Sequence, residues 1–280
     1  MKGMLRALAR RSLSYVSPSP SRELVSRLAG DNANNNDYKR YVIFGHQRCG
    51  SSVLTSGLKS HPGVKAFAEV FTSNHITFNY PGYDNKSLSM LALRDRDNRK
   101  FLEEIIFCPQ QANVEAVGFK VFPDQIDKQR FQDVWRWLAD NENVSLIMLN
   151  RDNSLATLCS VTIAKKTGVW GINDATKRPT LTITLSIPEC EKFFEQRELY
   201  AQMVRDKFKD RELLEISYET FASDIPKHFN LVQEFIGINP IELPVNDLKK
   251  ETRSLSQIID NYEELKAHFS ATRWQSYFVD

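Results

Sequence analysis

The sequence predicts an α/β fold: a single domain with a central parallel sheet flanked by helices on both faces. Short, mainly apolar runs suited to strands covered on both sides recur along the chain at Tyr41–Phe44, Ala116–Val121 and Val144–Leu149. Helix-patterned segments separate them, so strands and helices alternate as a parallel sheet requires. The chain has 280 residues, 41% of them hydrophobic and 26% charged, with 17 Phe, which suffices for one large core and argues against a disordered chain.

The elements follow in order. Tyr41–Phe44 is the first strand. Ser51–Ser60 reads as a helix stopped by His61-Pro62, and Ala116–Val121 as a second strand. Phe131–Leu138 is a helix, Val144–Leu149 a strand, and Ser154–Lys166 a helix ended by Thr167-Gly168. Ser186-Ile-Pro188 opens a long helix, and Glu212–Ile216 is a further strand. Phe229–Phe235 is helical, as is Gln257–Phe269, with Ser256 as its N-cap. Thr72–Arg99 is left open as an acceptor lid because Asn79–Asn85 is polar and turn-rich. The crevice of such a sheet lies beyond the carboxyl ends of its strands, and the chemistry is expected in the loops there.

Charge and cysteine usage narrow the classes. Met1–Leu28 holds six Lys and Arg against Glu23 alone, whereas the chain as a whole is +2, so the remainder is net negative. A positive excess confined to a leader does not make the basic face of a nucleic-acid-binding domain, and no nucleic-acid partner is expected. The leader interleaves Met4, Leu5, Leu8, Ala9 and Leu13 with Arg. That pattern fits a basic helix in peripheral contact with a membrane, a transit peptide, or a helix lying on the domain. With the Asn-rich stretch Asn32–Asn36 it forms a segment 1–37 ahead of a domain at 38–280. Cys49, Cys108, Cys159 and Cys190 lack zinc or disulfide-scaffold spacing and are read as unpaired, in keeping with a cytoplasmic location.

The chemistry concentrates after the first strand. Gly45-His-Gln-Arg-Cys-Gly-Ser-Ser52 joins that strand to a helix, the setting in which a glycine loop cradles phosphate on backbone N–H groups and the helix N-terminus. Gly45 and Gly50 have the spacing of a P-loop, but Ser51 stands where an ATP-hydrolysing loop carries Lys, and the cation is Arg48. The strand that would end in a Mg²⁺-binding acid ends in Asn150-Arg151 instead. Arg cannot ligate a metal but forks onto phosphate, so the site is read as P-loop-like and metal-free, with a second phosphate to hold.

Arg48-Cys-Gly-Ser-Ser52 resembles the 5′-phosphosulfate loop of sulfotransferases that use 3′-phosphoadenosine 5′-phosphosulfate (PAPS). Leu58-Lys-Ser-His-Pro62 with Glu69, Leu149-Asn-Arg-Asp-Asn with Ser160, Gly118-Phe-Lys120, Glu215-Ile-Ser-Tyr-Glu219 and Asn261–Leu265 continue the resemblance in chain order. Ser160-x3-Ala164-x2-Thr167-Gly168-x-Trp170 is closest to the trehalose 2-sulfotransferase and nodulation-factor sulfotransferase branch. Two departures stand out: Cys159 occupies a position that is Ser in many members, and the usual Arg-Lys-Gly loop is missing, leaving Lys249, Lys250 and Arg253 as substitutes.

The resemblance implies that Arg48, Cys49, Gly50, Ser51 and Ser52 bind the 5′-phosphosulfate, that Arg151, Ser160 and Arg253 bind the 3′-phosphate, and that Tyr218 lies by the adenine. Glu69 is the expected base toward the acceptor, His75 the second choice, and Arg48 the cation facing the leaving oxygen; Lys120 reads either as approaching the acceptor or sulfonate or as a snorkelling strand-end side chain, and is left outside the core site. The acceptor is a small molecule, carbohydrate or glycolipid, and the released product is 3′-phosphoadenosine 5′-phosphate. A P-loop-type small-molecule kinase and a non-catalytic, membrane-surface nucleotide-binding protein are the competing readings.

Overall fold

The computed structural model describes residues 33–80, 84–170, 181–244 and 253–279. The leader and residues 249 and 250 thus lie outside the described residues, and so does part of the Asn-rich linker. Five strands, β1 (Lys39–Gly45), β2 (Val64–Glu69), β3 (Ala116–Val121), β4 (Val144–Asn150) and β5 (Leu213–Ser217), form one sheet in the order β2-β3-β1-β4-β5. All four pairings are parallel.

The alternation of side chains along the strands explains the layers. Val42, Phe44, Leu146 and Met148 face a cluster that includes Trp135 and Trp137 of α5 (Gln132–Asp140) and Val204 of α7 (Ile187–Lys207). Tyr41, Ile43, Ile147 and Leu149 face the other way, onto Leu54 and Leu58 of α1 (Ser51–Lys59), Phe221 of α8 (Tyr218–Ser223) and Phe229 of α9 (Ile225–Ile236). With strand side chains at period two, each central strand feeds both cores, which is why these runs look uniformly apolar. A third cluster joins α6 (Ser154–Thr167), the first half of α7 and α11 (Tyr262–Phe269) above the strand ends.

One expectation is corrected, and two features are added to the sequence reading. The run read as one helix from Gln257 is broken: α10 spans Leu255–Ile258 with Ser254, not Ser256, at its N-cap, and Ile259 bridges Ile183 before α11 begins. The backbone hydrogen bonds of Ile183 with Ile258 and Asp260, both 2.9 Å, pull the chain out of helical geometry. The edge strand β2 was not foreseen. The lid region is partly helix: α2 (Leu88–Arg96) buries Met90, Leu93 and Arg94, and α3 (Asn98–Phe101) continues through a π-helical turn at Leu102–Ile106. Arg94 is fully buried, donating to the carbonyls of Val70, Thr72 and His75 at 3.1, 2.8 and 2.9 Å, so it fastens the segment that follows β2. No described helix is long and apolar enough to cross a membrane.

Gly118 sets the spacing at the middle of the sheet. It pairs with Tyr41, and a Cβ there would lie 2.4 Å from the Tyr41 carbonyl oxygen and 2.5 Å from its ring. Backbone cannot yield to that contact as a flexible side chain could. Gly118→Ala is therefore expected to cost about 2 kcal/mol or more by forcing β1 and β3 apart. Urea denaturation checks it; a loss under about 0.5 kcal/mol would show that the sheet relaxes freely.

Candidate functional site

Chain order reverses direction in the sheet between β1 and β4, and the loops leaving these two strands form the crevice. The loop after β1 runs through two left-handed residues, Arg48 at φ 65° and Gly50 at φ 87°. Gly50 caps α1 without any side-chain hydrogen bond, and the first turn of α1 contains no acid. The positive pole of a nine-residue helix is thus left open toward the crevice, with the early N–H groups available to an anion.

The loop after β1 and the turn after β4 meet around Tyr218. A Cβ on Gly50 would fall 2.9 Å from the Tyr218 ring, and the Arg151 guanidinium lies 4.7 Å from the centre of the same ring. Arg151 faces Glu219 at 3.9 Å through its buried Nε, which is too far from that carboxylate for a hydrogen bond and has no other partner among the described residues. Buried donors are rarely left unmet, so this nitrogen fits a missing acceptor such as phosphate. Glu219 also accepts from the backbone N–H of Asp152 at 2.9 Å, holding the turn that carries Arg151. Behind that turn Arg197 of α7, 7% exposed, donates to Ser154 at 3.3 Å and to the Arg151 carbonyl at 3.2 Å. Sequence reasoning missed Arg197; it lies in a long helix with no motif around it.

Ser160 stands where the sequence placed a hydroxyl. Its Oγ accepts from Arg48 Nε at 2.8 Å, and Arg48 also donates to the Trp170 carbonyl. Cys159 instead faces the core beneath α6, where burial pushes its thiol up to about 12. Of the two neighbours, Ser160 is the one whose side chain meets Arg48. Arg253 donates to the Leu181 carbonyl at 3.2 Å.

Two expected residues do not offer their side chains. Cys49 is fully buried in the core with its Sγ accepting the His46 N–H at 3.3 Å, so its contribution is confined to the loop backbone. His75 is exposed in the segment after β2, and its carbonyl serves Arg94 while its ring makes none of the contacts around Glu69.

Lys120 corrects the reading more deeply. It is 3% exposed rather than snorkelling, and its Nζ lies 3.1 Å from Ser52 Oγ and 3.2 Å from Glu69 Oε1. Register produces this meeting: β2 and β3 pair Phe67 with Phe119, but an irregularity then pairs Glu69 with Lys120. A bulge of this kind re-aims a side chain at a strand end. The second carboxylate oxygen, Oε2, accepts from Gln125 Nε2 at 2.8 Å. A carboxylate, a cation and the loop after β1 thus stand in one contact chain, Gln125–Glu69–Lys120–Ser52.

No protein-family model matches the chain. It is 27% identical over 244 residues to Nodulation protein H of Rhizobium tropici, covering 85% of this chain and 92% of that protein. Against Nodulation protein H of Rhizobium meliloti the identity is 24% over 243 residues, with 85% and 94% covered. A crystal structure of a sulfotransferase from Alicyclobacillus acidocaldarius gives a TM-score of 0.44 at 18% identity, over 88% of this chain and 96% of that one.

His46 supplies a pH prediction for the loop. Burial, and then the charge of Arg197, lower its imidazole from 6.5 to about 3. Between those values the unfolded chain binds the proton that the folded loop refuses, so this contribution to stability is present above about pH 6.5 and is lost progressively down to about 3. The loss amounts to at most about 5 kcal/mol. Chemical denaturation from pH 7 to pH 4 is expected to show a flatter decline for His46→Gln than for the native chain; equal slopes would show that His46 is not the group responsible.

Proposed function

We propose that this chain, a member of the PAPS-dependent sulfotransferase family, transfers a sulfuryl group from PAPS to a hydroxyl or amine of a small-molecule or carbohydrate acceptor. The observation that carries this reading is the juxtaposition of an open helix N-terminus at Gly50–Ser52 with the unmet Arg151 Nε across Tyr218. A nucleotide with phosphate groups at both its 5′ and 3′ ends has the charges to satisfy both.

When bound, PAPS supplies the sulfuryl group and, as its leaving group, 3′-phosphoadenosine 5′-phosphate. In the proposed arrangement the N–H groups of α1 and the Ser51 and Ser52 residues hold the 5′-phosphosulfate, with Cys49 and Gly50 contributing backbone. Arg151 and Ser160 hold the 3′-phosphate, with Arg253 as a further cation, and Tyr218 offers its ring to the base. Arg48 meets the charge that develops on the leaving oxygen. Lys120, held between Ser52 and Glu69, places a second positive charge between the loop and the base. Glu69 takes the proton from the acceptor as its oxygen or nitrogen bonds to sulfur and the sulfur–oxygen bond to the nucleotide breaks.

Calorimetric titration with 3′-phosphoadenosine 5′-phosphate, beside ATP with Mg²⁺, tests the donor. Arg151→Ala is expected to weaken nucleotide binding by tenfold or more, given a charge-assisted contact of about 1.5–3 kcal/mol. Glu69→Gln should bind the nucleotide as the native chain does and lose on the order of 10² or more in turnover. Binding of ATP–Mg²⁺ in place of 3′-phosphoadenosine 5′-phosphate would overturn the reading in favour of a kinase.

A further inference from the structure

Gln125 sits at the third position of α4 (Pro123–Ile126), directly after β3, and is only 9% exposed. Its Oε1 accepts the Phe122 backbone N–H at 3.1 Å while its Nε2 donates to Glu69 Oε2 at 2.8 Å. Both partners impose the same orientation on the amide. A backbone N–H can only donate and so takes the oxygen; an ionised carboxylate can only accept and so takes the nitrogen. The amide cannot flip without placing like against like at both ends.

Lys120 holds the other carboxylate oxygen from the opposite direction, so the two contacts fix both the position of Glu69 and the rotation of its carboxylate plane. The Glu69 side chain remains 26% exposed, so its carboxylate is not closed off by these two contacts. We infer that Gln125 is a positioning residue: through its backbone-locked amide it holds the Glu69 carboxylate in the orientation that receives the acceptor proton. The inference rests on the proposed role of Glu69 as base. Gln125 also closes the first turn of α4, so a purely structural role is the alternative that a test must separate.

Gln125→Glu separates them. The variant keeps the size and the oxygen that accepts from Phe122, but replaces the donor to Glu69 with another acceptor. Gln125→Met removes both contacts at similar volume. The reaction followed is sulfate release from PAPS, in which water takes the place of the organic acceptor: its oxygen bonds to sulfur, its proton goes to Glu69, and 3′-phosphoadenosine 5′-phosphate leaves.

If Gln125 positions the base, both variants lose about tenfold or more in kcat with an unchanged KM for PAPS. Neither substitution then slows the reaction further when added to Glu69→Gln, because the group through which it acts is already gone. Near-native kcat for Gln125→Glu with reduced kcat for Gln125→Met identifies helix capping as the only role and overturns the inference. Independent, multiplying losses in the Glu69→Gln background overturn it as well, as does a failure of Gln125→Glu to bind 3′-phosphoadenosine 5′-phosphate. If Glu69→Gln releases sulfate at the native rate, the base assignment itself is wrong, and the positioning role falls with it.

Discussion

The backbone of Gly50 lies so close to the ring of Tyr218 that no side chain fits between them, and the rest of the site follows from that contact. The loop after β1 and the turn after β4 are about a hundred residues apart in sequence. They come together because the ring that packs on Gly50 also lies beneath the Arg151 guanidinium. The left-handed backbone at Gly50 serves two ends: it lets the ring approach, and it starts α1 without a capping side chain that would compete with an anion. Glu219, next in the chain after Tyr218, fastens the Arg151 turn by accepting from the backbone of Asp152.

The second half of the site is organised by a buried charge. Lys120, almost without solvent contact, is tolerable only because Glu69 and Ser52 satisfy it. The irregular register between β2 and β3 exists where these two residues pair, and the segment after β2 is secured by Arg94 and by the hydrogen bond from Thr77 to the Glu69 carbonyl at 2.9 Å. Glu69 is therefore carried on a strand end held on several sides. That placement suits its proposed role in proton transfer, which depends on distance and angle more than on flexibility.

Much of this was legible in the chain. The apolar runs of β1, β3 and β4 stand out because central strands of a parallel sheet are covered twice, and the glycine loop between β1 and α1 carries its own punctuation. Ser160 offers its hydroxyl to Arg48, whereas the Cys159 thiol packs into the core. Other parts were hidden for identifiable reasons. At the sheet edge, β2 is short, is interrupted by Lys65, ends in Glu69 and carries only mixed burial, so it lacks the apolar signature of the centre. The break at Ile259 depends on a partner, Ile183, far off in sequence. Arg197 and Gln125 sit in helices whose patterns say nothing of what their polar ends reach.

By itself the sequence determined the alternating α/β order, the glycine loop with Arg48 in place of a P-loop lysine, and the placing of Arg151 at the end of a central strand. Those features are local: they depend on residue type and spacing within one strand, turn or helix. Only the tertiary structure decided that Lys120 belongs at the centre of the site, that Cys49 turns inward, that His75 lends its carbonyl rather than its ring, and that Gln125 holds Glu69. Each of those outcomes is a contact between separate elements, fixed by strand register and helix packing, and spacing along the chain carries no record of it.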